Sequence, residues 1–148
     1  MTRVAAASGA FLLAVLWMDL MFDVQALRLS GGAEDAVILA SVAAYYRRVT
    51  TEAAPMNQLI GAVMVVTLVV SILRLVRGVT SGRVAALLLA CVPIGLAVVR
   101  VFPNAVRLGT AADPLAVQGE LARAILRDHL GCLAAMAVFT TIQLRAKD

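Results

Sequence analysis

One histidine, His129, and two cysteines, Cys91 and Cys132, are all that these 148 residues offer for thiol or nitrogen-ligand metal chemistry. A lone histidine rules out a two-histidine-one-carboxylate iron triad, and no HxxxH or ExxH pair is present. Oxygen-rich metal binding by two carboxylates and His129 has no spacing to support it, so neither metal nor cofactor is expected. Both cysteines lie inside apolar runs and no CxxC occurs, which excludes a disulfide framework and leaves them as packing residues. Aromatic residues are only 5% of the chain, and the basic residues behind its +4 net charge sit at the ends of apolar runs. That pattern excludes a nucleic-acid partner. No internal repeat is visible, which counts against a transporter of the usual alternating-access kind.

What the chain has in excess is apolar surface: 62% hydrophobic residues and a mean hydropathy of +0.94. A soluble domain keeps about 45–50%, so the composition belongs in a lipid bilayer. A span of ~30 Å needs about 20 helical residues. The charge-free runs are 4–18, 53–73, 84–99 and 130–144, and only the second is long enough alone. The others reach roughly 23 Å of helix and must draw charged residues toward the membrane. The prediction is an all-α integral membrane protein, a four-transmembrane-helix bundle in one domain, with spans at about 4–27, 55–76, 83–102 and 121–144. The Met1 region is not expected to be a cleaved signal peptide, because its apolar stretch is long and Asp19 and Asp23 stand where a cleavage site would be.

The three short runs fail on the same side. With the N-terminus on one side of the membrane, the first span ends opposite at Asp19 and Asp23, and the third at Arg100. The fourth begins there with Arg127, Asp128 and His129. The termini side holds Arg3, Arg74, Arg77, Arg83, Arg145 and Lys147 with Asp148 as its one acid, leaving seven of the thirteen basic residues opposite. The positive-inside count is nearly tied, but the compact, acid-poor set favours cytoplasmic termini. The segment 36–53 reads as an interfacial helix between spans one and two, with Tyr45 and Tyr46 at headgroup level. "RGVTSGR" at 77–83 makes spans two and three antiparallel neighbours. Pro93 and Gly95 should disturb the third span. Asp113-Pro114 suits a helix start, from which about 31 residues run to Leu144, long enough for the first half to project beyond the membrane.

Asp19 and Asp23 are four apart and share one helix face. The plainer reading pairs them with Arg100, Arg107 or Arg127; the sharper one makes them partners of His129, the residue that titrates near neutrality and so the proton-transfer candidate. Asp128 points about 100° away from His129 on the same helix and cannot be that partner. Arg100 and Arg107, flanking "VFPN" with Asn104, are the arginines best placed for a ligand, followed by Arg47, Arg48 and Arg127. Their plainer role is lipid contact or bridges to Glu34, Glu52, Glu120 and Asp128, with Glu120 the natural partner of Arg123 and Arg127. Asn57 and Asn104, each near a proline, suit either a ligand or loose backbone groups.

With "AAYYRRVTTEAAPMN", "RVFPNAVRLG" and "LRDHLGCLAAMAVF" in view, the chain resembles the bacterial members of an uncharacterised four-span membrane family that also contains fungal anthrone oxygenases. The resemblance implies a bacterial inner-membrane location and oxidation of anthrones to anthraquinones by molecular oxygen without a conventional cofactor. It carries no catalytic residue over by position. Two functions follow. One is a pocket for a small aromatic or anionic amphiphile, quinone- or phenol-like, with His129 as base, Asp19 or Asp23 orienting it, and Tyr45, Tyr46, Asn57, Asp128 and the arginines around the ligand. The other is a non-catalytic accessory subunit of a membrane complex or homo-oligomer.

Overall fold

The computed structural model describes residues 1–52 and 54–146, and those residues form helices and turns without a strand. Ala53, at the end of the predicted 36–53 helix, and Lys147 and Asp148, assigned above to the termini side, lie outside the described residues. Helix α1 (Thr2–Asp23) runs into a 3-10 turn, Val24–Arg28. Helix α2 (Asp35–Arg47) continues as a π-helical turn, Arg48–Glu52, ahead of α3 (Ala54–Val76). Helix α4 (Ser81–Leu96) passes through a second π turn, Ala97–Val101, into α5 (Phe102–Thr110), and α6 (Leu115–Arg145) closes the chain. Four stretches are long and apolar enough to cross a membrane: Thr2–Arg28, Pro55–Val76, Ser81–Thr110 and Leu115–Arg145. The protein is an all-α membrane bundle.

Around the bundle α1 touches α3 and α6, and α4 touches α3 and α6. The α1–α6 seam is close because Gly9 has no side chain. A Cβ there would lie 2.5 Å from Thr140 Oγ1 and 3.0 Å from the Phe139 ring, which is how small residues let membrane helices approach. Helix α3 is the opposite case. Its most apolar window has a mean hydropathy of 2.6 and is only 11% buried, so its surface is lipid-facing. The turn into α4 is capped by Thr80, whose Oγ1 accepts the Arg83 N–H at 3.3 Å.

At the far end from the termini, α2, α5 and the first half of α6 build a second core around Leu39, Val42, Tyr46, Leu108 and Ile125. Leu39, Val42, Ala43 and Tyr46 form one stripe of α2. That stripe faces protein, so Tyr46 is buried and Tyr45 half-buried. The first half of α6 is likewise covered by α2 and α5. Backbone meets backbone here at Gly109 of α5, where a Cβ would be 2.8 Å from Arg47 N.

Asp113 does not cap α6, whose N-cap is Pro114 without a side-chain bond. Ala111 at φ 51° ends α5 in the left-handed region, and the reversal brings Asp113 onto Arg107, whose Nε and Nη2 each donate at 2.8 Å. The hydrogen bonds from Arg107 hold the Asp113 carboxyl below its ordinary 3.8. The pairing therefore stabilises the turn above that value and is lost as pH falls through the lower folded-state value. Amide exchange across 108–114, corrected for intrinsic rates, should accelerate on acidification below about pH 4. Asp113→Asn should already exchange fast at neutral pH and show no such step. Global unfolding should barely move, because the pair is exposed.

Candidate functional site

Asp19 and Asp23, one turn apart near the end of α1, both face α2 and α6. Neither meets Arg100, Arg107 or Arg127. The partners are neutral or aromatic instead: Tyr45 donates its hydroxyl to Asp19 Oδ1, and Tyr46 donates to Asp23 Oδ1. Adjacent residues on a helix diverge by about 100°, which is how consecutive tyrosines reach two different carboxylates. Their rings pack edge to face at 5.3 Å, and Phe22 stacks flat on Tyr45 at 3.9 Å. Burial, reinforced by the carboxylate charges, pushes both phenols up from their ordinary range, so both remain donors.

His129 of α6 closes the cluster. Its Nδ1 lies 2.6 Å from Asp23 Oδ2 and its Nε2 lies 3.9 Å from Asp19 Oδ2. Asp23 is 1% exposed and His129 5%. With Asp23 Oδ1 taken by Tyr46, Asp23 Oδ2 is the acceptor for an Nδ1–H, and in the neutral tautomer that this contact favours Nε2 is the basic nitrogen. Asp128, on the neighbouring face, sits 3.3 Å from Arg100 Nε across to the second π turn.

The cluster forms the polar end of a cavity of about 380 Å³. Asp19, Tyr45, Tyr46, Thr50, Asn57 and His129 supply its polar lining, and the rest is mostly apolar, including Leu12, Leu16, Ile60, Met64, Ile94 and Met136. Both π turns border it, through Val49 and Thr50 and through Ala97, Val98 and Val101; such turns often widen helices at functional sites. The second follows Pro93, which has no N–H for the helical ladder and whose carbonyl accepts from Cys132 Sγ at 3.7 Å. Met18, Met56, Val98 and Phe102 line the cavity and are also exposed on the outer face. The space therefore opens to the surroundings beside these four side chains.

Of the sequence candidates, Asp19, His129, Tyr45, Tyr46 and Asn57 line this cavity, with Asp23 directly behind the imidazole. Asn57 also donates to Thr50 O at 2.8 Å. Arg100, Arg107, Asn104, Arg47, Arg48, Arg127 and Asp128 do not line it. Arg47 pairs with Glu52 at 3.1 Å. Arg123 reaches Leu29 O at 3.0 Å rather than Glu120. Phe22 and Thr50 were not singled out from sequence, and Cys132 was read there only as a packing residue; the signals that could have found them were the adjacency of Phe22 to Asp23 and the three-residue helical spacing of Cys132 from His129. Among the described residues no three of His, Cys, Asp and Glu are arranged to hold a metal ion. No protein-family model, curated protein or solved structure matches the chain.

Proposed function

We propose that this membrane protein binds a lipophilic phenol, quinone or enolisable aromatic ketone in the cavity and exchanges a proton with it through His129. The observation that supports this reading is the placement of one basic nitrogen, Nε2, at the polar end of an otherwise apolar cavity of about 380 Å³. Asp23 orients the imidazole and stabilises its protonated form, as a carboxylate does behind a general-base histidine. The 3.9 Å between Nε2 and Asp19 Oδ2 exceeds a hydrogen bond. A ligand hydroxyl or carbonyl entering there meets both groups. The tyrosines hold the two carboxylates in place. The arginines read from sequence as ligand contacts lie outside the cavity, so the charge that develops on the ligand is offset by the imidazolium formed when His129 takes the proton. Oxygenation of the resulting anion rests on the family resemblance, as does the inner-membrane location, while cytoplasmic termini rest on the compact, acid-poor basic set at that end.

Anthrone is a suitable probe, because its enolate absorbs where the ketone does not. Under nitrogen the detergent-solubilised protein should bind it saturably and show enolate absorbance at a pH where free anthrone stays a ketone. His129→Ala should keep binding within about threefold while the enolate signal appears ~100-fold more slowly, the usual scale of a general base. An unchanged rate in the variant, or no saturable binding by the wild type, overturns the proposal. Admitting air then asks whether the enolate becomes the quinone. A wild type that binds nothing and copurifies with a stoichiometric partner would favour the accessory-subunit reading.

A further inference from the structure

At the termini end of the bundle a second cavity, of about 260 Å³, lies between the end of α3, the start of α4 and the end of α6. It shares no residue with the first. Its polar lining is Arg74, Thr80, Arg83 and Gln143, with Gly82 at the first turn of α4. Arg74 donates to Gln143 Oε1, and Arg83 Nη1 donates to Gly78 O at 2.7 Å. Each guanidinium has five N–H donors, so both keep donors to spare, and no carboxylate among the described residues pairs with either. Thr80 Oγ1 accepts from Arg83 N, which leaves its hydroxyl proton to give. The first N–H groups of the 16-residue α4 have no intrahelical acceptor, and the helix dipole there favours negative charge.

The independent sign is Gln143. It is 2% exposed, and its Nε2 has no hydrogen-bond partner. A buried amide donor without an acceptor is costly and calls for a missing group. The side-chain groups left free here, on Arg74, Arg83, Thr80 and Gln143 Nε2, are all donors and outnumber the carbonyls that the ends of α3 and α6 bring to the same space. We propose that the cavity binds a phosphate group, held by Arg74, Arg83, the Thr80 hydroxyl and Gln143 Nε2. Arg74 lies two residues from the end of the Pro55–Val76 span, and Arg83 two residues into the Ser81–Thr110 span. That is headgroup depth, where the phosphodiester of an anionic lipid and free inorganic phosphate offer the same chemistry.

Two arms separate these sources, both using the full chain. In a neutral detergent, inorganic phosphate is titrated against chloride at constant ionic strength while thermal unfolding is followed. In nanodiscs, phosphatidylcholine alone is compared with mixtures containing phosphatidylglycerol, and lipid retained after a detergent wash is counted by native mass spectrometry. Protection by inorganic phosphate assigns the free anion; protection and retention of phosphatidylglycerol without a phosphate response assigns the lipid. In either case Arg83→Gln and Gln143→Glu should each weaken the response about tenfold or more, the scale of a charge-assisted hydrogen bond. If Gln143→Glu fails to fold, Arg83→Gln at the half-buried start of α4 decides alone. No response to either probe beyond chloride and phosphatidylcholine, or variants that respond like the wild type, would overturn the proposal.

Discussion

Asp23→Ala should destabilise the fold by about 3–5 kcal/mol, the range for removing one partner of a buried charged pair. Asp23 accepts from Tyr46 through one oxygen and from His129 Nδ1 through the other, and all three groups are buried. Truncation orphans a phenol and an imidazole at once. Asp23→Asn should fall between, since one carbonyl oxygen can serve one donor while its NH2 faces another donor. Tyr46→Phe removes a hydroxyl and leaves one carboxylate oxygen short, a smaller loss of about 1–2 kcal/mol. Denaturant unfolding in mixed micelles ranks the three. If Asp23→Ala lies within ~1 kcal/mol of the wild type, the buried cluster is not holding α1, α2 and α6 together.

Gly109→Ala carries the second large effect, by a different mechanism. The added methyl would lie 2.8 Å from Arg47 N, 3.0 Å from Arg47 Cα and 3.2 Å from Tyr46 C. These are main-chain atoms, which cannot rotate away, so α5 must lift from α2. Overpacking of this kind costs about 1–3 kcal/mol and sometimes more. The strain falls on the residues that aim Tyr45 and Tyr46 at Asp19 and Asp23, so ligand binding should drop together with stability. Gly95→Ala and Gly131→Ala are the controls. Both glycines are helical with open space around the new methyl, and each replacement should stabilise by up to ~1 kcal/mol. Equal behaviour of Gly109→Ala and Gly131→Ala in thermal unfolding would refute the close contact.

The bundle was legible because the bilayer sets one length, and three apolar runs fell short of it together. The meeting of Asp19, Asp23 and His129 followed from that same shortage and from the four-residue spacing of the two acids. What covers those groups was not legible. An amphipathic helix bearing tyrosines is equally suited to headgroups and to a protein neighbour. The choice depends on Gly109, sixty residues away in sequence, and no local pattern reveals it. The arginines misled for a related reason. Arg107 flanks a proline motif, yet its guanidinium is committed to Asp113 because Ala111 turns the chain back. Arg100 is drawn to Asp128, and Arg47 to Glu52, both among the acids that the plainer sequence reading offered the arginines. Charge counts show that cations and acids share a side, and three-dimensional turns decide which of them are already occupied.

The opening of the cavity bears on how the ligand proposed above is supplied. A lipophilic ligand that enters from among the acyl chains, where it is already enriched by its partition coefficient, is drawn from the membrane rather than from water. Occupancy then follows the number of ligand molecules per lipid rather than molarity in buffer. A binding curve drawn against total concentration would shift its midpoint with every change in the amount of membrane present, and the mole fraction in the bilayer would give one constant.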